Sequence, residues 1–315
     1  MTKEPEVMNF REIFEKTSQI RAECAILIWT AAELFFALPR KGKTLDPTEV
    51  FMAFTEHEHN TVTYLTSSLI DARHCFTTRL GGVSEGIFKS MNLRERSGDD
   101  AERIRENYRR IGEAAGIDTS RMVHTRQIHS NFVRRVTAAD TRALFEADPP
   151  ECDGLVTNQM GVPLIIFTAD CVPVLLCDSQ NGVIGAVHCG WRGTVADILG
   201  ETVKAMEELG AEARHIRAAI GPAIGKCCFE TGPEVPVAMQ NWLGGDFGLC
   251  PPEKGVPGKF MVDLRGGDRI RLMQLGLKEE NIDISPECTM CAPDKYWSHR
   301  VTHGRRGCQA AIISL

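Results

Sequence analysis

The pattern of apolar and polar positions along the chain changes at about residue 58. Before that point, apolar residues recur at helical spacing and lead into the run AILIWTAAELFFAL, which a polar connector rich in breakers follows. We therefore predict a partly helical N-terminal extension over residues 1–58 and one domain over residues 59–315. Met52 begins a segment typical of a natural start, so our hypothesis is that the extension comes from a mis-assigned start codon. A native peptide mapped upstream of Met52 would contradict it.

After residue 59, short apolar segments separated by glycines alternate with amphipathic ones. The predicted strands are VTYLTSSLI, HCFTTR, MVHTRQIH, NFVRRVT, two in VPLIIFTADCVPVLLCD, GVIGAVHC, IRAAIG and CQAAIISL. Helical periodicity predicts one helix from a cap at Asp99 or Asp100 to Gly116, a second over residues 194–209 and a third over residues 263–275. Long apolar strands that alternate with helices are typical of a mixed α/β or α+β domain with a largely buried sheet.

Charge and targeting signals narrow the class of partner and the compartment. The chain has 36 Lys and Arg against 42 Asp and Glu, a net charge of -6. A nucleic-acid-binding surface needs a basic excess, so we expect no nucleic-acid partner, whereas one local arginine cluster suffices for a small anion. The most apolar run, residues 24–38, contains Glu33 and is shorter than the roughly 20 residues that span a membrane, so we expect no membrane contact. The N-terminus lacks the apolar stretch of a signal peptide, which predicts a cytoplasmic protein.

Three segments each place one metal-ligating side chain at the end of an apolar strand. These are His129 in TRQIH, Cys171 in TADC and His188 in GAVHCGWRG. Two imidazoles and one thiolate suit Zn²⁺, and three protein ligands leave a fourth position open, as a catalytic zinc site requires. Sequence spacing does not show that the three residues converge. Three unrelated core residues are the simpler interpretation at this level.

Four further residues are candidates for substrate binding or acid–base chemistry. Asp170 adjoins Cys171 and could act as an acid or base, although capping of the following turn explains it equally well. Arg192 lies between two glycines before a helix, where backbone N–H groups and a guanidinium can bind an anion. Arg79 stands beside a Gly-Gly pair in a loop that is either a phosphate site or an ordinary hairpin turn. Asn92 in SMNL either contacts a sugar hydroxyl or ends a strand.

Two pairs among the 12 cysteines stand out by their spacing. Cys288 and Cys291 form one C-x-x-C motif, whereas a structural zinc ribbon needs two such motifs. Cys227 and Cys228 are adjacent, which is not ribbon spacing. We therefore expect these four residues to be buried thiols without a metal.

The segments taken together resemble one known family. FTTRLGGVSEG, SMNL, GDD, TRQIH, CDGLVT, TADCVPVLLCD, AVHCGWRG, AAIGPAIGKCCFE and CTMC occur in the order found in the YfiH-type proteins, also called the laccase-domain or polyphenol oxidase family. That family includes purine nucleoside phosphorylases and a peptidoglycan editing factor. The resemblance covers residues 60–315. It implies a single α/β domain in which layered mixed β-sheets are flanked by helices.

The resemblance also implies an activity and a metal. His129, Cys171 and His188 are then zinc ligands, with copper the less favoured ion. The implied reaction is phosphorolysis of adenosine, inosine, guanosine and 5′-methylthioadenosine, with deamination of adenosine as an associated activity. The implied partners are purine nucleosides and phosphate, and we expect a monomer or a homodimer.

If the family resemblance holds, the candidate residues named above take roles in binding the nucleoside and phosphate. Arg79 and the turn at Arg192 are candidates for binding phosphate, and Asn92 for binding the sugar. Asp170 and Cys228 are secondary candidates for contact with the reacting groups.

The chain departs from the family pattern at two places. Cys189 follows the third zinc ligand where the family usually has alanine, and a small thiol should be tolerated there. Gly307 and Cys308 stand where relatives often carry a Gly-Arg pair. If that arginine contacts an anion in the relatives, Arg305 or Arg306 would have to replace it.

Three other functions compete with phosphorolysis. A peptidoglycan-precursor editing amidohydrolase would use Cys171 or a zinc-bound water against an amide bond. A copper polyphenol oxidase needs many paired histidines, and the chain has one H-x-H pair, His57 and His59. A non-catalytic metal-binding protein would hold zinc without turnover. Product analysis separates these classes.

Overall fold

The computed structural model describes residues 54–315. The strands in this range are β1 (Phe54–His59), β2 (Val62–Ser67), β3 (Arg73–Thr77), β4 (Val133–Arg135), β5 (Gly154–Thr157), β6 (Leu164–Thr168), β7 (Val172–Asp178), β8 (Val183–Cys189), β9 (Arg217–Ile220), β10 (Glu230–Thr231), β11 (Phe260–Met261), β12 (Ile282–Ile284) and β13 (Gln309–Ser314). The α-helices are α1 (Ala101–Ala115), α2 (Trp191–Val195), α3 (Ile198–Glu207), α4 (Glu234–Leu243), α5 (Leu264–Gln274) and α6 (His299–Thr302). Within the same range, no helix has the length and apolar character needed to cross a membrane.

Two β-sheets pack face to face at the centre of the domain. The five-stranded sheet is antiparallel throughout, in the order β1-β2-β3-β13-β6. The six-stranded sheet has the order β12-β9-β7-β8-β5-β4. It is mixed, because its two outer strands run parallel to their neighbours while the four inner strands are antiparallel. A separate pair, β10 and β11, forms a small antiparallel ribbon.

Alternation along the strands divides the apolar core into three layers. Ile166 of β6 and Leu175 of β7 belong to the layer between the two sheets. Ile165, one position along β6, points the other way and packs against α1. Leu176, one position along β7, packs against helices α3, α4 and α5. The three core layers separate four layers of secondary structure: α1, the five-stranded sheet, the six-stranded sheet and the remaining long helices. This confirms the predicted layered α/β class.

Helix α1 confirms the prediction made from its caps. The carboxylate of Asp100 accepts hydrogen bonds from the N–H groups of Glu102 and Arg103, so Asp100 is the N-cap. Gly116 ends the helix at φ +67°, in the left-handed region that glycine adopts without Cβ strain.

The helix predicted over residues 194–209 is instead two helices, α2 and α3. The chain breaks at Asp197, whose φ of +68° is left-handed. The carboxylate of Asp197 accepts a hydrogen bond from Trp242 of α4 at 3.0 Å and pairs with Arg271 of α5 at 2.6 Å. These tertiary contacts stabilise a break that local helical periodicity does not reveal.

Two other local predictions were wrong. Residues 54–59, assigned to the polar connector, form β1, which pairs with β2 along its whole length. Most β1 side chains are exposed, so its polar pattern concealed the strand. Residues 122–129, predicted as a strand, make only isolated bridges. Helix α4 and strand β12 were not predicted. The other residues of the predicted extension, 1–53, lie outside the described residues.

Candidate metal centre and cavity

Strands β7 and β8 form an antiparallel hairpin whose open end carries two of the predicted ligands. Cys171 immediately precedes β7, and His188 is the penultimate residue of β8. The register pairs Pro173 with His188. Because the start of one antiparallel strand meets the end of its neighbour, Cys171 and His188 lie at the same edge of the sheet. The adjacent Cys189 belongs to the core layer on the helix side.

His129 reaches this edge from a loop that the carboxylate of Asp153 organises. Asp153 is fully buried. Its carboxylate accepts hydrogen bonds from three successive backbone N–H groups, those of Ile128 (3.2 Å), His129 (3.0 Å) and Ser130 (2.8 Å). The Ser130 hydroxyl adds a fourth bond at 2.7 Å. These convergent donors stabilise His129 at φ +60°, a left-handed conformation that side-chain-bearing residues rarely adopt.

The side chain of Gln127 anchors the same loop to the free edge of β6. Its Nε2 donates to the carbonyl of Phe167 at 2.7 Å, and its Oε1 accepts from the N–H of Phe167 at 2.7 Å. The amide thus takes the place that the backbone of a neighbouring strand would occupy. This explains why residues 122–129 run beside β6 without forming a strand of their own.

The structure brings the three predicted ligands together. The candidate ligand atoms of His129, Cys171 and His188 lie within 4.8 Å of one another. The Sγ of Cys171 is 3.9 Å from Nε2 of His129, and the two imidazole rings meet edge to face at 84° with centroids 4.9 Å apart. Oδ1 of Asp153 accepts a hydrogen bond from Nδ1 of His188 at 2.8 Å. This leaves Nε2 of His188 free for a metal, as in carboxylate–histidine–metal sites.

Charges in the site favour the metal-binding form of cysteine. Burial opposes ionisation of Cys171, but the charge of His188 and the hydrogen bond with His129 lower its pKa to about 6. Burial also opposes protonation of His188, but the charge of Cys171 and the bond to Asp153 raise its pKa to about 9. Burial of Asp153 is outweighed by the hydrogen bonds from His188 and Ser130, so its pKa falls to about 2. Cysteine binds metal as the thiolate, which these contacts stabilise.

The donor set fits a metal of borderline softness. One thiolate and two imidazoles converge, with His188 buried, Cys171 partly buried and His129 exposed. All three residues line one cavity, so a bound ion would keep an open position towards it. The described residues therefore include a three-ligand set of the kind found in catalytic zinc sites.

Gly190 leaves the space that this set occupies. A Cβ atom at residue 190 would lie 2.6 Å from Cδ2 of His129, 3.3 Å from Cε1 of His188 and 3.4 Å from Sγ of Cys171. Its φ of -72° suits any residue, so the contacts alone exclude a side chain. We expect Gly190→Ala to displace the ligands and to lower zinc affinity by about tenfold or more, measured by competition with a chromogenic chelator.

Gly185→Ala is the matched control for this substitution. Gly185 lies in β8, the strand that ends just before Gly190, but its added Cβ would meet Sδ of Met206 at 3.3 Å on the helix side. The flexible methionine can adjust, and the metal ligands are not touched. Equal zinc affinity in the Gly190 and Gly185 variants would show that a side chain at residue 190 does not displace the metal ligands, which would contradict this prediction.

A cavity of about 320 Å³ opens onto the three ligands. Its volume is within the range of small-molecule sites. Its lining includes five arginines: Arg94, Arg96, Arg126, Arg142 and Arg306. The cavity is therefore suited to an organic ligand together with an anion.

Two of these arginines have no carboxylate partner within residues 54–315, namely Arg94 and Arg306. The ion pairs of the other three are Arg142 with Glu95 at 2.8 Å, Arg126 with Glu151 at 2.5 Å, and Arg96 with Asp148. The positive charges of Arg94 and Arg306 are thus not neutralised by a carboxylate, and Nη1 of Arg306 donates to the carbonyl of Gly307 at 3.0 Å. In the described part of the chain, Nε of Arg306 is also buried without a hydrogen-bond partner.

Thr168 adds another unsatisfied polar atom to the cavity wall. Its Oγ1 is buried and makes no hydrogen bond to any described residue. Buried polar atoms normally have partners, so this hydroxyl is available to a ligand or a water molecule in the cavity. Thr168 lies in the segment TADC, Asp153 in CDGLVT, and Arg94 follows SMNL, but none of the three was predicted as a site residue.

The structure does not bring Arg79 to the cavity. Its guanidinium lies over the ring of Trp297 at 4.0 Å and donates to the carbonyls of Lys89 at 2.5 Å and Pro293 at 2.8 Å. This position does not support the predicted contact with phosphate. The same loop contains a G-x-S-x-G pattern centred on Ser84, but that hydroxyl is buried among hydrogen bonds and is not an exposed nucleophile.

Asn92 supports the cavity from behind and is not part of its surface. The side chain is fully buried. Its Nδ2 donates to Asp99 at 2.9 Å, and its Oδ1 accepts from the N–H of Cys308 at 3.1 Å. Because Cys308 lines the cavity, Asn92 positions the wall, whereas the predicted direct contact with a sugar is not supported by its burial.

Arg192 also lies away from the cavity lining. It is exposed, and its guanidinium stacks on the ring of its neighbour Trp191 at 4.4 Å. The helix that it was predicted to open, α2, has 5 residues. The predicted anion site at this turn is therefore separate from the metal-ligand set.

Asp170 is close to Cys171 in sequence but its carboxylate is occupied elsewhere. It accepts hydrogen bonds from the hydroxyls of Thr289 at 2.6 Å and Ser298 at 3.0 Å, and from the N–H of Arg300 at 2.7 Å. These bonds favour the structural role over the acid–base role. Cys228, the other secondary candidate, lies in a different cluster with Cys227, Cys288 and Cys291.

Comparisons of sequence and structure find similar proteins for most of the chain. Residues 73–315 match the family described as multi-copper polyphenol oxidoreductase laccase. The chain is 34% identical over 243 residues to the purine nucleoside phosphorylase YlmD of Geobacillus stearothermophilus, covering 75% of this chain and 88% of that protein. It is 36% identical over 245 residues to a purine nucleoside phosphorylase of Corynebacterium glutamicum, covering 77% and 94%. The crystal structure of Bacillus licheniformis YfiH matches with a TM-score of 0.76 at 27% identity, covering 82% and 97%.

Proposed function

The chain belongs to the multi-copper polyphenol oxidoreductase laccase family. Because it resembles proteins named purine nucleoside phosphorylases, we propose that it is a zinc-dependent purine nucleoside phosphorylase. Its substrates are adenosine, inosine, guanosine and 5′-methylthioadenosine together with phosphate. Its products are the free base and the sugar 1-phosphate. The observation that carries the proposal is that the metal-ligand set and two unpaired arginines share one cavity.

Phosphorolysis needs a positioned phosphate on one face of the sugar. A phosphate oxygen forms a bond to C1′ while the bond from C1′ to N9 of the purine breaks, and the base keeps the electron pair and gains a proton. Arg94 and Arg306 would hold the phosphate, because both line the cavity and neither has a carboxylate partner within residues 54–315. Charge-assisted hydrogen bonds from guanidinium groups orient phosphate oxygens well.

The remaining wall would orient the nucleoside. The free hydroxyl of Thr168 is available to a sugar hydroxyl, and Phe167 and Pro149 offer apolar surface to the base. Asp153 fixes the ring of His188 through their hydrogen bond. His129, Cys171 and His188 would hold the zinc ion, which would supply Lewis acidity to the cavity.

We also propose that this cavity deaminates adenosine at C6 and that the protein works in the cytoplasm. The deamination would use the same ligand set and the same base-binding wall. The cysteines within residues 54–315 are all free. A reducing compartment keeps Cys171 available as a metal-binding thiolate.

Product analysis tests the proposed function. Full-length, zinc-loaded protein is incubated with adenosine or inosine, with and without phosphate, and the products are separated by chromatography. We expect free adenine or hypoxanthine only when phosphate is present, and inosine from adenosine in either case. Deamination without phosphorolysis, or an amino acid released from a peptidoglycan precursor without any base release, would contradict the phosphorylase proposal.

Substitution of Arg306 tests the proposed phosphate site. We expect Arg306→Ala to raise the KM for phosphate roughly tenfold or more, because a charged hydrogen bond is lost, with a smaller change in kcat. Arg306→Lys should recover part of the loss. Initial rates over a range of phosphate concentrations give KM and kcat for both variants. The anion site predicted from sequence at Arg192 would instead make Arg192→Ala the more damaging change, and that result would contradict this assignment.

Copper oxidase chemistry fits the described residues less well than zinc chemistry. A trinuclear copper cluster needs several paired histidines. Within residues 54–315, His57 and His59 are the one H-x-H pair, and they lie on β1. His57 stacks on Tyr64 with ring centroids 5.0 Å apart and contacts the Thr66 hydroxyl at 2.8 Å. This pair is separate from the three-ligand set.

A further inference from the structure

Four cysteines from two remote parts of the sequence come together beside the six-stranded sheet. Cys227 and Cys228 lie in the loop after β9, and Cys288 and Cys291 lie after β12. Strands β9 and β12 are parallel neighbours, so the loops that leave their ends lie side by side. The four sulfur atoms are within 4.8 Å of one another, and Cys227 and Cys291 are exposed. The expectation of unrelated, buried thiols was therefore wrong.

The spacing of these sulfurs fits a shared metal ion. The Sγ of Cys291 is 3.5 Å from that of Cys227 and 3.3 Å from that of Cys228. A disulfide would bring two sulfurs to about 2.05 Å. Four sulfurs around a tetrahedral zinc, with bonds of about 2.3 Å, lie about 3.8 Å apart. The measured sulfur distances are close to those around a tetrahedral zinc and too long for a disulfide bond.

A hydrogen bond to Cys288 and a nearby guanidinium favour negatively charged sulfur in part of the cluster. The N–H of Gly225 donates a hydrogen bond to Sγ of Cys288 at 3.1 Å. The guanidinium of Arg265 donates to the carbonyls of Ser285 and Glu287. It lies close to the cluster, because a Cβ added at Gly225 would be 3.1 Å from Nη2 of Arg265 and 3.2 Å from Sγ of Cys227. Arg265 makes no ion pair with a carboxylate in the described part of the chain. Its charge is thus free to offset the net negative charge that four thiolates and one divalent ion carry.

We propose that this four-cysteine cluster binds a second zinc ion, distinct from the ion at the cavity. Four thiolates close the coordination sphere of zinc and leave no position for a substrate. The site is therefore structural, and it holds the loop after β9 against the loop after β12.

These two loops also hold the residue that precedes Cys171. The N–H of Ile224 donates to the carbonyl of Asp170 at 2.9 Å, and the hydroxyl of Thr289 donates to its carboxylate at 2.6 Å. Ile224 and Thr289 lie within four residues of the cluster cysteines in sequence. The second ion would thus stabilise the backbone from which the first site takes its thiolate, and Asp170 is a positioning residue.

Zinc content of the full-length protein, purified under reducing conditions, tests this proposal. We expect about two zinc ions per chain in the wild type, and about one in the double variant Cys288→Ser/Cys291→Ser. Cys171→Ala should also retain about one, held by the cluster. Cys250→Ser is the matched control, because its thiol contacts Met239 and is not in the cluster, and it should retain about two.

Cobalt substitution keeps the test informative if the double variant does not fold. In Cys171→Ala, which leaves the cluster intact, Co²⁺ should give the intense sulfur-to-metal absorption of a four-thiolate site, with about one cobalt per chain. Absence of that absorption, a Cys171→Ala variant that binds no zinc, or thiols that react with a thiol reagent equally fast with and without zinc would each overturn the proposal. None of these readouts depends on nucleoside turnover, so failure of the proposed function would leave them unaffected.

Discussion

Replacing Cys171 by alanine is expected to remove zinc from the cavity and to lower the rate of phosphorolysis by about a thousand-fold. Cys171 supplies the one thiolate of the three-ligand set, and its Sγ lies 3.9 Å from Nε2 of His129. The two imidazoles that remain are too few to hold zinc tightly, because zinc sites use at least three protein ligands. The measurement is kcat/KM with inosine and phosphate, with zinc content determined on the same sample.

Cys189→Ala is the matched control for this variant. Cys189 lies one residue from His188, but its side chain packs in the core on the helix side. The substitution should cost about 1 kcal/mol of unfolding free energy and leave zinc content and activity unchanged. Retention of both zinc at the cavity and activity in Cys171→Ala would contradict the assignment of the site.

Replacing Asp153 by asparagine is expected to weaken zinc binding by about 10- to 100-fold. It should also lower the free energy of unfolding by about 3 kcal/mol, because a buried charged partner is lost. The carboxylate accepts hydrogen bonds from His188 and from the loop that carries His129, and an amide would present N–H groups to some of these donors. Zinc competition measures the first effect. Urea unfolding in the presence of a chelator measures the second effect without a contribution from the metal.

Asp178→Asn separates the two effects. Asp178 is fully buried at the far end of β7, and its carboxylate accepts hydrogen bonds from the N–H groups of Gln180, Asn181 and Glu212. We expect a comparable loss of stability in this variant with unchanged zinc affinity. If Asp153→Asn binds zinc as tightly as the wild type does, the carboxylate does not support His188 in the way described.

Local sequence patterns were sufficient to predict the strands that carry two of the three candidate ligands. The apolar runs around Cys171 and His188 predicted β6, β7 and β8, and their antiparallel pairing puts both ligands at one sheet edge. His129 was selected by its residue type and by the family resemblance, and the structure brings it to the other two predicted ligands, although its segment is a loop and not a strand. Its position depends on Asp153, which lies 24 residues further along the chain. No local period signals such a contact.

The four-cysteine cluster could not be predicted for a related reason. Its two halves are 63 residues apart at their closest contact and meet because β12 joins the sheet beside β9. Strand β12 has three half-buried residues and no marked alternation of buried and exposed positions, so it was not predicted from the sequence. The cavity arginines are also in irregular segments, where spacing carries no signal. Arg306 was reached only through the departure from the family pattern at Gly307 and Cys308.

The most direct test of the central claim is the phosphorus NMR spectrum of a reaction that contains inosine, phosphate and zinc-loaded protein. The account predicts that a ribose 1-phosphate signal grows at the expense of phosphate with the wild type and is absent with Cys171→Ala. Failure of the zinc-containing wild type to form ribose 1-phosphate, or equal formation by the variant, would contradict it.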